Sequence, residues 1–478
     1  MILSIVNLDE GESMDEKPGP LETNRNPRFG FGNSHANARK TMRCNLRGMI
    51  LGLCTAFLPV LAVRAENWPQ WRGPLLNGST PETNLKSRLS RQSDLRWSAP
   101  LPGRSGATPV VWGDAVFVPS PDAEKNLLLL CVDRGTGTIR WQRTVGTGDR
   151  VSGKNNMASC SAVTDGQGVY SLFGTGDFAA FDFDGALLWQ IRLTERFGTF
   201  ADMFLYGASP LLFEGKLYVT LLQRNPPTYG HATDPKPDRQ SWLICLDPAS
   251  GKILWNHERK TDAIEEAMEA YTTPLPFPGN QGMELIVVGA DCVTAHRPAD
   301  GSEVWRYAGL NRKKNPGGRI VPSPVASGGL LFAIGPKREQ LVALRAGTSG
   351  LMGEEGVAWR MEQNIPDVPT PLFYQGRLFV LDGDRQTLTC FEPDTGRQIW
   401  QGRLGVREIF YSSPTGADGK IYCVSEAGTL VVLSAGGQHE VLATLPFGEG
   451  PCMASVVVSG GCLLIRTAKK LHCVNATP

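Results

Sequence analysis

The string Gly-x-x-x-Trp occurs five times in this chain, at Gly137/Trp141, Gly185/Trp189, Gly251/Trp255, Gly301/Trp305 and Gly396/Trp400. It usually follows an acidic residue and a Ser or Thr, as in Asp133-Arg-Gly-Thr136-Gly137 and Asp247-Pro-Ala-Ser250-Gly251. A second string alternates with it: Ser/Thr-Pro, an apolar run, a glycine turn and a second apolar run, beginning at Thr108, Ser209, Thr273, Ser323, Thr370 and Ser413. Self-similarity at a spacing of about 40 to 50 residues is the mark of a repeat architecture, in which one supersecondary unit cannot bury its own faces and stacks on its neighbours.

Each unit reads as four short strands. In the first these are Pro-Val-Val-Trp, a turn at Gly113-Asp114, Ala-Val-Phe-Val, Leu-Leu-Leu-Leu-Cys-Val, a Thr-Gly turn, and Ile-Arg-Trp-Gln. Glycine supplies the positive φ of such turns, and β-branched and aromatic runs suit strands. A four-stranded meander repeated around an axis is a propeller blade. Units begin near residues 107, 160, 208, 272, 322, 369, 412 and 454, which predicts an all-β, eight-bladed propeller. The last unit, 454–474, has only three strands, whereas 95–99 is a fourth strand lacking its first three. The N-terminal strand is therefore expected to complete the C-terminal blade and remove the open edge. Trp141, Trp189, Trp255, Trp305, Trp359 and Trp400 are assigned a structural role, packing between adjacent blades.

Composition agrees with a turn-rich β protein: 54 glycines and 34 prolines, with 41% apolar and 20% charged residues. With 48 basic and 47 acidic residues there is no overall field to attract nucleic acid. Residues 1–41 read as a disordered leader or a mis-assigned start. Residues 42–65 read as a signal peptide: Arg43 and Arg47 form a basic region, 49–63 an apolar stretch of fifteen residues, and Val63-Arg64-Ala65 a cleavage site. The mature chain, 66–478, is then an exported monomer, periplasmic or secreted, and not an integral membrane protein after cleavage.

Eleven cysteines in an exported chain invite a disulfide framework. Cys131, Cys245, Cys390 and Cys473, however, hold one place in the third strand that other units give to Ala180, Ala295, Ala343 or Val432, so the site asks for a small apolar group. Cys452, Cys462 and Cys473 share the closing blade, where one bridge is geometrically allowed. His231, His257, His296, His439 and His472 lack metal-ligand spacing, and no nucleophile motif accompanies them. No catalytic or metal residue is assigned.

Long connections on one face, at 146–157, 194–206, 223–240, 258–272 and 309–319, mark that face as the functional one. Candidate binding residues there are Asn155, Asn156, Tyr206, Tyr271, Arg319 and Tyr411, beside a basic run at Arg312, Lys313 and Lys314.

The repeat Asp-x-x-Thr-Gly-x-x-x-Trp resembles that of the PQQ-like β-propellers, which include quinoprotein alcohol dehydrogenases and BamB-like scaffolds. The stretch Asn67-Trp68-Pro69-Gln70-Trp71-Arg72-Gly73-Pro74 is similar to the mature start of secreted PQQ-like proteins of the planctomycete type. The resemblance runs from about residue 67 to the end of the chain. It implies two functions: a non-catalytic scaffold presenting its loop-rich face to a protein, peptide or glycan, or a dehydrogenase of alcohols or sugars holding PQQ and calcium over the channel. Against the second stands the absence of the adjacent Cys-Cys pair and of Cys-x-x-Cys-His.

Overall fold

The computed structural model describes residues 67–225, 239–347 and 349–478. The leader, the signal segment, His231 and residues 226–238 of the 223–240 connection lie outside the described residues. Eight antiparallel sheets form a ring, each meandering from an inner strand to an outer one. Blade 1 runs Val110–Trp112, Ala115–Pro121, Asn126–Asp133 and Ile139–Thr147. Its third strand is buried at six consecutive positions because both of its faces lie against neighbours. Blade 8 takes Val457–Ser459, Cys462–Arg466 and Lys470–Asn475 from the C-terminal region and Leu95–Pro100 as its outer strand. Trp97 is registered opposite Cys473 and Ala99 opposite Leu471. Blade 4 departs from the four-strand pattern. Gly350–Met352, from the connection between the last two strands of blade 5, adds a parallel fifth strand beside Glu303–Tyr307.

The recurrent glycine and tryptophan meet across blade boundaries rather than within one unit. Trp141 of blade 1 donates its indole N–H to Phe183 O of blade 2 at 2.8 Å, and a Cβ placed on Gly185 would fall 2.8 Å from its ring. Trp189 repeats this with Pro248 O and Gly251, Trp359 with Pro393 O and Gly396, and Trp97 with Arg134 O and Gly137. The turn glycine is thus required twice, for its positive φ and because the preceding blade's indole lies on its Cα. Trp305 varies the pattern, covering Gly347 while its N–H goes to the Glu284 carboxylate at 2.8 Å.

Opposite each of these tryptophans, on the third strand, stands a small residue: Cys131 faces Trp141, Ala180 faces Trp189, Ala343 faces Trp359, Cys390 faces Trp400. Blade 7, whose outer strand has Ala443 there, carries the larger Val432. The cysteine position is therefore space-filling. All nine described cysteines are buried free thiols. Cys462 and Cys473 touch, and the hydrogen bond from Cys473, helped by one that Arg96 donates to the Cys462 sulfur, holds the Cys462 thiol below its usual range.

Candidate functional site

The Ser/Thr-Pro string builds the inner wall of the channel. The backbone N–H of Thr108 donates to the Ser161 hydroxyl, Ser161 to Ser209, Ser209 to Thr273, and Thr273 to Ser323. Ser323 continues to Thr370, Thr370 to Ser413, Ser413 to Ser455, and Ser455 returns to Thr108. All eight bonds measure 2.9–3.2 Å, one per blade boundary. Proline follows at six of the eight positions, and proline has no N–H to leave orphaned against the channel.

Below this crown the segment 67–80 crosses the axis. Trp68 bridges to Val111 of blade 1, and Gln70 exchanges two hydrogen bonds with the Leu212 backbone of blade 3. Arg72, fully buried, reaches Pro371 O of blade 6 at 2.6 Å and Pro414 O of blade 7 at 3.1 Å, and Ser79 bridges to Gly416. Burial without a carboxylate partner lowers the Arg72 guanidinium to about 9. Its neighbour Trp71 is half-buried, with the guanidinium 5.8 Å from the indole centroid. The Trp71 ring floors a cavity of about 460 Å³ that opens on the long-loop face.

The walls come from the long connections. Gly153, Lys154 and Asn155 stand on the hairpin Val151–Ser152/Asn155–Asn156, Phe204 on 194–206, Tyr271 on 258–272 and Arg319 on 309–319, with Tyr411, Asp367 and Asp384 completing the rim. Glu269, with no exposed surface, fixes this wall: its carboxylate accepts from Met203 N at 3.0 Å and the Tyr271 hydroxyl at 2.9 Å, and Arg224 stands 2.7 Å away. Tyr271 in turn accepts from Phe204 N at 3.2 Å. Burial, and then the nearby carboxylates, push the Tyr271 phenol well above its ordinary range. Asp202 lies behind, lining a second cavity of about 280 Å³. Among the described residues neither of its carboxylate oxygens has a hydrogen-bond partner, and burial followed by the Glu269 charge raises it well above the usual carboxylate range.

Four of the six sequence-picked residues, Asn155, Tyr271, Arg319 and Tyr411, line the cavity. Two do not. Tyr206 is buried in the core, its ring 4.8 Å from Phe200 and its hydroxyl spent on Thr220 O, so it offers no contact surface. Asn156 is buried as well, its amide holding Arg104 O and its carbonyl receiving Ala158 N. The basic run is engaged elsewhere: Arg312 pairs with Glu362 at 2.7 Å and Lys314 with Asp291 at 3.8 Å. Sequence reasoning missed Trp71, Lys154 and the crown. The repeated Ser/Thr-Pro was visible as a pattern, and its one-per-blade spacing was the signal that its hydroxyls share one level.

The fold and cup define an eight-bladed propeller of the PQQ-like repeat type. The chain belongs to the family described as outer membrane protein assembly factor BamB, whose model matches residues 89–204, 124–367 and 353–440. Among solved structures it is similar to BamB from Moraxella catarrhalis, at 15% identity and a TM-score of 0.55, covering 80% of this chain and 99% of that one. It is also similar to quinohemoprotein alcohol dehydrogenase from Comamonas testosteroni, at 11% identity and TM-score 0.59 over 86% and 81% of the two chains. A europium-containing methanol dehydrogenase gives 11% and 0.61, over 85% and 90%. At such identities these likenesses establish the fold alone. No curated protein matches the chain.

The residues of the cup do not fit PQQ with calcium. The quinone is a tricarboxylate, yet among the described residues both cations at the cavity are already neutralised: Arg319 by Glu266 at 2.9 Å and Asp367 at 3.3 Å, Lys154 by Glu426 at 2.5 Å. Among the described residues no group of three or more His, Cys, Asp or Glu side chains gathers to hold a metal ion. The rim carboxylates are engaged too, Asp384 with Arg338 at 2.8 Å.

Proposed function

We propose that this protein is an exported, non-catalytic binding propeller, periplasmic or secreted, that holds a ligand or a partner on its long-loop face. The observation that carries this reading is the blind cup: a rigid ring, a floor braced across the axis to blades 3, 6 and 7, and rim residues supplied by several separate loops. Rigid scaffolds with loop-borne rims are suited to recognition, since little ordering entropy is lost on binding. Membership of the BamB family and the charge pairing inside the cup support a recognition role over redox chemistry. Export is supported by the ordered basic, apolar and small-residue segments of 42–65, and no described helix is long and apolar enough to cross a membrane.

The test is photo-cross-linking in the native host. Cross-linkers at Lys154 and Tyr411 are expected to capture the same species, while those at Asp114 and Glu214, on the turns of the opposite face, capture none of it. Equal capture from both faces overturns the assignment of the face. Titration with PQQ and calcium followed by dye-linked oxidation of alcohols and sugars tests the non-catalytic part, and turnover there overturns it.

A further inference from the structure

The cup itself indicates what it takes. Each crown hydroxyl accepts one backbone N–H and still carries a proton of its own. Thr273 gives its proton to Ser209 O at 3.1 Å. Those of Thr108, Ser161, Ser209, Thr370, Ser413 and Ser455 have no acceptor among the described residues, although all six line the cavity. Facing a cavity with room for water, these donors bind water when the cup is free, and a ligand that displaces that water keeps them satisfied only if it brings acceptors of its own, so the bottom of the cup suits a ligand rich in neutral oxygen.

Three further observations narrow the class. Trp71 offers an indole at the floor, with Phe204, Tyr271 and Tyr411 around it, so the ligand also has a flat or apolar face. Among the described residues the charges at the cavity are matched, Lys154 by Glu426, Asp384 by Arg338, and Arg319 together with Lys337 by Glu266 and Asp367, which leaves no preference for an anion or a cation. At about 460 Å³ the space falls within the ~300–1,000 Å³ of small-molecule sites and well below what a folded partner requires. A neutral ligand bearing many hydroxyls on one edge and C–H groups on a ring face is a pyranose. We propose that the cup binds a neutral saccharide, with the sugar ring over Trp71 and its hydroxyls accepting from the Ser/Thr crown. This rests on the reading of the long-loop face as the binding face and supplies the ligand class for it.

The experiment is saturation-transfer NMR and calorimetry on the purified chain with glucose, galactose, N-acetylglucosamine, maltose and cellobiose, alongside PQQ with calcium. At least one saccharide is expected to bind saturably at one site. Trp71→Leu should weaken it at least tenfold and Tyr411→Ala, a rim change that leaves the core untouched, severalfold; Asp114→Ala should match wild type. Should Trp71→Leu fail to fold, Tyr411→Ala decides. The proposal is overturned if no saccharide of the set binds, if binding is the same in the Tyr411 variant, or if PQQ displaces the sugar and occupies the cup as the tighter ligand. Absent saccharide binding with cross-linking still confined to the long-loop face ends the ligand class and leaves the binding face standing. Absent binding with cross-linking from both faces ends both.

Discussion

The backbone N–H of Ser455 donates to the hydroxyl of Thr108 at 3.1 Å, joining residues 347 positions apart in sequence. That single bond makes the crown a closed cycle, and it closes the ring at the channel just as the pairing of Leu95–Pro100 with Lys470–Asn475 closes it further out. The last blade is therefore held to the first at two radii.

Replacing Thr108 with Val keeps the shape of the side chain and removes the acceptor. The Ser455 N–H is then buried without a partner, which costs about 1–3 kcal/mol. Urea unfolding of Thr108→Val is expected to show a lower midpoint, whereas Thr136→Val, in an exposed turn, shifts it little.

Trp141 and Gly185 are two halves of one contact, so each should be intolerant for its own reason. Trp141→Ala removes a packed indole and its hydrogen bond, at about 3–5 kcal/mol. Gly185→Ala forces a methyl group into the Trp141 ring at a φ of 81°, and thermal melting is expected to show destabilisation in both variants. Combined, the two changes should cost less than the sum of the singles, because the alanine at 141 vacates the space the methyl needs.

His296 is fully buried, its Nδ1 2.9 Å from Gly301 O and its Nε2 2.8 Å from the Thr294 hydroxyl, and burial depresses it to about 3. A depressed histidine contributes stability that is present above the unfolded value near 6.5 and lost as pH falls from there toward 3, because the unfolded chain takes up a proton that the folded one refuses. The loss is about 1.4 kcal/mol per pH unit. Melting temperature plotted from pH 7 to pH 4 should fall less steeply in His296→Gln than in wild type.

Asp202 has the opposite sign. Its carboxyl is raised by burial and by Glu269, so the folded protein favours the protonated form and the penalty is felt above the unfolded value. Asp202→Asn is expected to raise the melting temperature at pH 8, with the difference vanishing near pH 4. No gain at pH 8 would mean that the charge is compensated.

The fold was legible because the repeat encodes it redundantly. The Cys, Ala or Val of the third strand even reports whether a tryptophan faces it, as Val432 opposite Ala443 shows against Cys131 opposite Trp141. The site was only partly legible. Loop length pointed to the connections that supply Lys154, Tyr271 and Arg319, but nothing local distinguishes Tyr206, whose hydroxyl turns inward to Thr220 O, from Tyr411, which stays at the rim. Trp71 was hidden for a different reason. It belongs to a segment outside the repeat, and its position on the axis depends on Arg72 reaching carbonyls some three hundred residues away.

Leu95–Pro100 is the first strand among the described residues and the outer strand of the last blade, so its partner is made only at the far end of the propeller. It emerges from the ribosome with both backbone edges unsatisfied and waits while the 374 residues that separate Ser98 from His472 are synthesised. Any strand released in the interim is a competing mate. Its own sequence guards against that: Arg96 puts a charge near the start, and Pro100 ends it with a residue that cannot donate to a ladder. One of its edges stays open in the finished ring and the other is met by Lys470–Asn475, so blade 8 is complete only once the C-terminal strands are present.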